Sequence, residues 1–348
     1  MKSITATFMF VAAVLTAASA EMQYVKNTDG KRPRTIVAIT NVCAWPNLTQ
    51  LRDGAIVATI HNQPSHLKLP SDVECWASVD GGRTWSKRGT PAPRDTPKTA
   101  RGNVAAGLTQ DGDLIVIASG WSDPTAKNSR GSVLIPMVSR SRDGGFTWSI
   151  DRNAFFNILT PFGDILVGAD GRLRAAIYRG VKGGAVVYHG TADGKKWGEP
   201  RAFDTGRVWH EPVLFHLGEG RWLAAMRFDG LTLYRSEDDA KTWTRGQTLT
   251  GRQQHPGHFL RLKDGRILLS YGNRLLPKGV DARVSADEGK TWSKPFRIAD
   301  FSGDGGYPSS VQGSGGEVVT AYYARKTEAH DGYQMAVAIW DPASIRDR

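Results

Sequence analysis

Cysteine is nearly absent: Cys43 and Cys75 are the only two in 348 residues. Two cysteines cannot build a disulfide-dense scaffold, and they carry no metal-binding spacing. One bridge and two buried thiols stay equally open, because sequence does not place the two Cα atoms within bonding range. Long hydrophobic runs are missing after the first twenty residues, so no later segment reaches the roughly 20 apolar residues of a membrane span. Helical periodicity is scarce. Lys and Arg (45) outnumber Asp and Glu (34), for a formal net charge of +11, yet they form no basic run or arm. Nucleic acid is therefore not expected as a partner. The excess reads either as a field favouring anionic small ligands or as a soluble basic surface.

The N-terminus holds Lys2, an apolar run from Phe8 to Leu15 and small residues ending in Ala18-Ser19-Ala20. That order is the signature of a secretory signal. We expect residues 1–20 to be cleaved and residues 21–348 to be exported, to the periplasm or the extracellular space, with no integral membrane segment.

One short motif recurs: "SVDGGRTW" at 78–85, "SRDGGFTW" at 141–148, "SEDDAKTW" at 236–243, "SADEGKTW" at 285–292 and a shorter "TADGKKW" at 191–197. Its Asp residues, 80, 143, 193, 238 and 287, are 63, 50, 45 and 49 apart. Periods of this size mark repeat architectures. Paired apolar runs split by an Asp-Gly turn fill the intervals, as in "HFLRLKDGRILLSYG" at 258–272, and such turns are strong hairpin signals. Each unit reads as strand, turn, strand, loop, strand, box, strand, which is a four-stranded propeller blade. Units begin near Ala44, Arg101, Phe162, His210, His255 and Tyr307. The chain is thus expected to be all-β, a six-bladed propeller forming one domain over 21–348, with the early strand "RTIVAIT" at 34–40 beside the last unit. The boxes themselves read as turns. Ser, Thr and Asp side chains hold nearby N–H groups, Gly supplies the backbone shape, and Trp packs.

Three boxes fit S-x-D-x-G-x-T-W in full, and the set resembles the Asp boxes, or BNR repeats, of the sialidase (neuraminidase) superfamily. The resemblance spans nearly the whole mature chain and is specific for the fold, much less so for the substrate. It implies a retaining glycoside hydrolase with a tyrosine nucleophile beside a glutamate. "GYPSS" puts Tyr307 in the nucleophile's place, at the start of the last unit's first strand, and "HEP" puts Glu211 on the fourth unit's first strand. The family's carboxylate-binding arginines match Arg227 and Arg274. Its blade-one arginine is missing, because the chain reads Ala44-Trp45-Pro46 there. Arg101 and Arg179 are possible compensators. For the acid/base, the loop "HNQPSHLKLPSDVE" offers Asp72 by type and His66 by its titration near neutral pH.

The starts of first strands and ends of second strands should rim the axial pocket. They add His61, His210, His255, His258 and Trp45 to the substrate-binding candidates. No metal and no cofactor is expected, the partner is a glycan or oligosaccharide, and the protein is expected to be a monomer. The function so read is an exported exo-glycosidase acting on a terminal, acidic sugar. Two alternatives stand beside it: a lyase on uronic-acid glycans using the His-rich rim, and a non-catalytic glycan-binding propeller.

Overall fold

The computed structural model describes residues 22–125, 131–178, 184–203 and 209–345. The expected signal segment, 1–20, lies outside the described residues. Among the described residues twenty-four strands form, with one short 3-10 turn at Pro342–Ser344. Burial grades across each run of four strands. A second strand such as Leu114–Trp121 (LIVIASGW) is buried along almost its whole length, whereas the fourth strand Thr244–Thr248 (TRGQT) is exposed at every residue. The unbroken apolar runs are those with neighbours on both faces.

Four sheets have four antiparallel strands each, and a fifth has eight. The eight-stranded sheet is two consecutive four-strand runs joined by parallel pairing of Ala100–Leu108 with Thr160–Val167, Ala105 standing opposite Gly163. The hydrogen-bonded sheets therefore number five, where the sequence predicted six separate ones. The first strands of the runs are Asn47–Gln50, Ala100–Leu108, Thr160–Val167, His210–Gly218, Gln254–Arg261 and Gly305–Gln312. Each touches the next in chain order, and the last touches the first. The strand Ile36–Thr40 pairs antiparallel with Gln334–Trp340 at the outer edge of the final sheet. Every seam between successive runs has its own apolar cluster; one joins Val213, Leu223 and Leu233 to Phe259, Ile267 and Leu269. Cys43 and Cys75 are both buried and free, in separate clusters. Among the described residues no helix is long and apolar enough to cross a membrane.

The boxes follow third strands, so antiparallel order puts them at the end opposite the starts of the first strands. Asp143 is typical. Its carboxylate accepts from Ser141 Oγ (2.8 Å), the Thr147 hydroxyl (2.5 Å) and the N–H groups of Phe146 and Thr147. Trp148 Nε1 donates to the Gly145 carbonyl at 2.9 Å. Gly145 has φ 101°, and a Cβ there would lie 2.6 Å from Cys75 Sγ on the preceding run. Glycine is thus required twice over, by backbone shape and by close approach. The box is a clamp that seats one run on its neighbour.

Hydrogen bonds from Thr147 above all hold the Asp143 carboxyl down at about 2. That is below the unfolded value of about 4, so the ionised form stabilises the fold above pH ~4, and this contribution fades as pH falls toward 2. Asp143→Ala should lower stability by about 1–2 kcal/mol near neutral pH. Urea unfolding should show the gap from wild type shrinking near pH 2. An equal gap at both pH values would mean that the carboxylate's charge plays no part.

Candidate active site

The first strands converge at their N-terminal ends, and here the backbone departs from regular strand geometry. Trp45, Glu211 and Tyr307 have φ of 74°, 40° and 55°. Pairing of His210–Gly218 with Arg221–Arg227 slips between His210 and Val213, and that of Gly305–Gln312 with Val318–Ala324 slips between Gly306 and Ser309. Such bulges re-aim side chains. Gly306 permits one of them: a Cβ on it would sit 3.2 Å from Gly272 Cα on the neighbouring run.

The result is a compact polar group. Tyr307 OH donates to Glu211 Oε1 at 2.5 Å. Arg227 Nη1 pairs with Glu211 Oε2 and also donates to Tyr307 OH at 3.0 Å. Tyr307 and Glu211 are 7% and 6% exposed, so this is a largely desolvated pair. Aromatic rings wall the phenol: Trp45, Phe162 and Tyr323 lie 5.6, 5.9 and 5.7 Å from it between centroids. The Arg274 guanidinium stands 5.5 Å from the Tyr307 ring centroid.

Electrostatics follow from this packing. Burial, then the Glu211 charge, pushes the Tyr307 phenol well above its ordinary value, with Arg227 and Arg274 opposing. The phenol is therefore neutral at rest. Burial and then the two arginines press His255 down to about 3, and this neutral ring stands 2.8 Å, Nδ1 to Nη1, from Arg274. Burial also lowers His210, whose ring lies 5.6 Å from Tyr178. Two guanidinium groups and one carboxylate leave the centre with a net positive charge.

The other candidates fall elsewhere. His66 Nε2 bonds Asp304 Oδ2 at 2.5 Å, and its ring lies 6.0 Å from Trp45 and 5.3 Å from Tyr323, one ring away from Tyr307. His61 is buried behind the site, with Nδ1 on the Cys43 carbonyl at 3.1 Å; burial lowers it to about 4. Asp72 sits in the fork of Arg94, with contacts of 3.1 and 2.9 Å plus a bond from the Arg94 N–H at 2.7 Å. Arg101 is held by Asp95 at 2.6 Å and by the carbonyls of Ala118 and Ile135, so its guanidinium turns into its own sheet. His258 joins a knot that ties first strands across the axis: its Nε2 is 3.2 Å from Asp164, which also accepts from Asn47 at 3.0 Å. Trp45, Phe162, His258 and Tyr307 line one narrow axial pocket. Arg179 lies outside the described residues.

Sequence reasoning passed over Phe162, Tyr178, Tyr323, Tyr333, Asp304 and Arg94. Asp304 stands three residues before Tyr307 in "GDGGYPS", and that short spacing was the available signal. Arg94 comes from a loop with no motif of its own.

No curated protein matches the chain. Among solved structures, a protein of unknown function from Dyadobacter fermentans superposes with TM-score 0.73 at 23% identity, over 89% of this chain and 98% of that one. The NanB sialidase of Streptococcus pneumoniae gives TM-score 0.68 at 13% identity, over 94% of this chain and 72% of that chain. The Trypanosoma rangeli sialidase with the inhibitor DANA gives 0.66 at 14%, over 91% of this chain; the match spans only 57% of that sialidase's length. These likenesses establish a common all-β fold. The BNR repeat-like domain family matches residues 39–320, and the chain belongs to that family.

Proposed function

We propose that this chain is an exported, six-bladed propeller glycoside hydrolase that removes a terminal acidic sugar from glycans with retention of configuration. The ring of first strands, each touching the next and the last touching the first, supports the six-bladed reading. The observation that carries the chemistry is the 2.5 Å bond from Tyr307 OH to Glu211, with Arg227 on both. A carboxylate nucleophile would repel a substrate carboxylate, whereas a neutral phenol does not. As the bond from Tyr307 oxygen to the anomeric carbon forms, the phenolic proton passes to Glu211 Oε1. Arg227 fixes the other carboxylate oxygen and stabilises charge developing on the phenol oxygen.

The two arginines then divide the work. Arg227 is committed to the reacting pair. Among the described residues, Arg274, over the ring face and paired to a neutral His255, is the cation left to meet an anionic group. Ala44 stands where the family's blade-one motif has its remaining arginine, so among the described residues a carboxylate would meet less positive charge than in a three-arginine clamp. The histidines behind the lyase alternative are dispersed among separate environments, and no observation favours it.

Tyr307→Phe should fold normally, keep substrate affinity and lose turnover on the order of 10³-fold or more. A panel of aryl glycosides and acidic glycans provides the assay, and near-wild-type kcat in this variant would remove Tyr307 from the chemistry. Arg274→Ala should cost about 2–4 kcal/mol in kcat/KM for an acidic glycoside and much less for its carboxamide. Arg227→Ala should impair both substrates alike. Equal losses in Arg274→Ala would show that it supports the pocket and does not read charge. Export predicts a mature N-terminus at Glu21, which Edman sequencing of the secreted protein would check; retention of residues 1–20 would contradict it.

A further inference from the structure

Beside the reacting pair lies a second polar group to which the catalytic scheme above assigns no role. His66, on the loop after Ile56–His61, bonds Asp304 through Nε2 at 2.5 Å. Two tyrosines brace the carboxylate: Tyr333 OH donates to Oδ2 at 3.0 Å, and Tyr323 OH to Oδ1 at 3.2 Å. Tyr323 OH also approaches His66 Nε2 at 3.3 Å. Burial would raise Asp304, but the bonds from His66, Tyr333 and Tyr323 outweigh it and hold the carboxyl at about 2. Asp304 is thus a fixed anion. His66 Nδ1 bonds to no described residue, and the side chain is 29% exposed. One nitrogen is oriented by a carboxylate and the other is unengaged, an arrangement that suits proton transfer. Trp45 and Tyr323 each contact both the His66 ring and the Tyr307 ring. Asp304 and Tyr307 stand three residues apart on one segment, so orienting anion and nucleophile are positioned together.

Asp72 is built for something else. Arg94 grips both its oxygens, and although burial alone would raise its carboxyl, the bonds from Arg94 and Asn62 hold it below the usual carboxylate range. A carboxylate so paired is a poor proton donor near neutral pH, and its fork with Arg94 braces the loop that carries His66.

We propose that His66, positioned by Asp304, is the acid and base acting on the leaving oxygen, an assignment that rests on the hydrolase reading above. In the first step the bond between the anomeric carbon and the leaving oxygen breaks and that oxygen takes the Nδ1 proton of the His66 imidazolium. Meanwhile Tyr307 oxygen bonds the anomeric carbon and its own proton goes to Glu211. In the second step neutral His66 removes a proton from water, water oxygen bonds the anomeric carbon, the bond to Tyr307 breaks, and Glu211 returns the proton to the phenol. Protons and electron pairs balance over the cycle without a further reactant.

The test uses the 4-methylumbelliferyl and methyl glycosides of the sugar that wild type turns over. An activated phenol leaves without help, whereas methoxide does not. His66→Asn should lose about 10²–10⁴-fold on the methyl glycoside and far less in the umbelliferone-releasing step. Asp304→Asn should show the same pattern, smaller. In ¹⁵N spectra taken at a pH where the ring carries a single proton, that proton should lie on Nε2 in wild type, and the Nδ1–H tautomer should gain in Asp304→Asn. Asp72→Asn should affect both glycosides equally. If His66→Asn loses both alike, or if Asp72→Asn shows the leaving-group selectivity, the assignment to His66 falls while Tyr307→Phe still abolishes turnover. If Tyr307→Phe keeps turnover, or wild type cleaves no glycoside, the hydrolase reading falls and takes this one with it.

Discussion

In five of the six four-strand runs, the pairing of first with second strand slips near its axial end: after Arg101, Pro161, His210, Gln254 and Gly306. The remaining run reaches the same end through Ala44 and Trp45, with φ of 53° and 74°. A regular strand would alternate its side chains between the two seams and send none down the axis. The slip breaks that alternation where the strands converge and turns Glu211 and Tyr307 inward; the left-handed backbone at Trp45 does the same in the remaining run. Non-glycine residues in the left-handed region cost of order 1–3 kcal/mol each and persist only where surroundings over-determine them. Buried second strands and close contacts such as Gly272 against Gly306 supply that determination. The Tyr307–Glu211 pair thus depends on a backbone distortion held by the sheet behind it.

The two ends of the molecule solve different problems with the same repeat. At the far end the boxes clamp five of the six runs onto the one before; the last run has no box. The variant box shows the requirement by departing from it: Ala240 takes the glycine position at φ 65°, and buried Trp243 Nε1 has no hydrogen-bond partner among the described residues. The other four box tryptophans each donate to a box carbonyl, as Trp85 does to Gly82 and Trp292 to Gly289. Rigidity at that end lets the axial end carry strain and unlike side chains.

Much of the fold was legible because it is periodic. Asp-Gly turns, apolar pairs and boxes each report a local structure, and their repetition reports the architecture. The parallel join of Ala100–Leu108 with Thr160–Val167 was not legible, since it depends on how closely two first strands converge. In the site, Tyr307, Glu211, Arg227 and Arg274 lie at strand ends that the repeat locates, and the structure brings them together. Arg101 and Asp72 are at comparable places, yet nearby loops capture them through Asp95 and Arg94. Such captures are set by loop geometry, and a sequence carries little trace of them.

The outermost strand of the last sheet, Ile36–Thr40, is made before every other described strand, and its partner Gln334–Trp340 after all of them. Roughly three hundred residues separate the two halves of that pairing. Pairing across such a sequence separation forms slowly, because the loop must close before any contact rewards it. A growing chain can build its middle sheets as they emerge, but the circle has no clasp until Gln334–Trp340 is made. Up to that moment it stays an open arc with two unpaired sheet edges, and such edges invite association with other chains. Any cellular route this protein takes must either keep that arc apart from other copies or carry the chain onward before the clasp shuts.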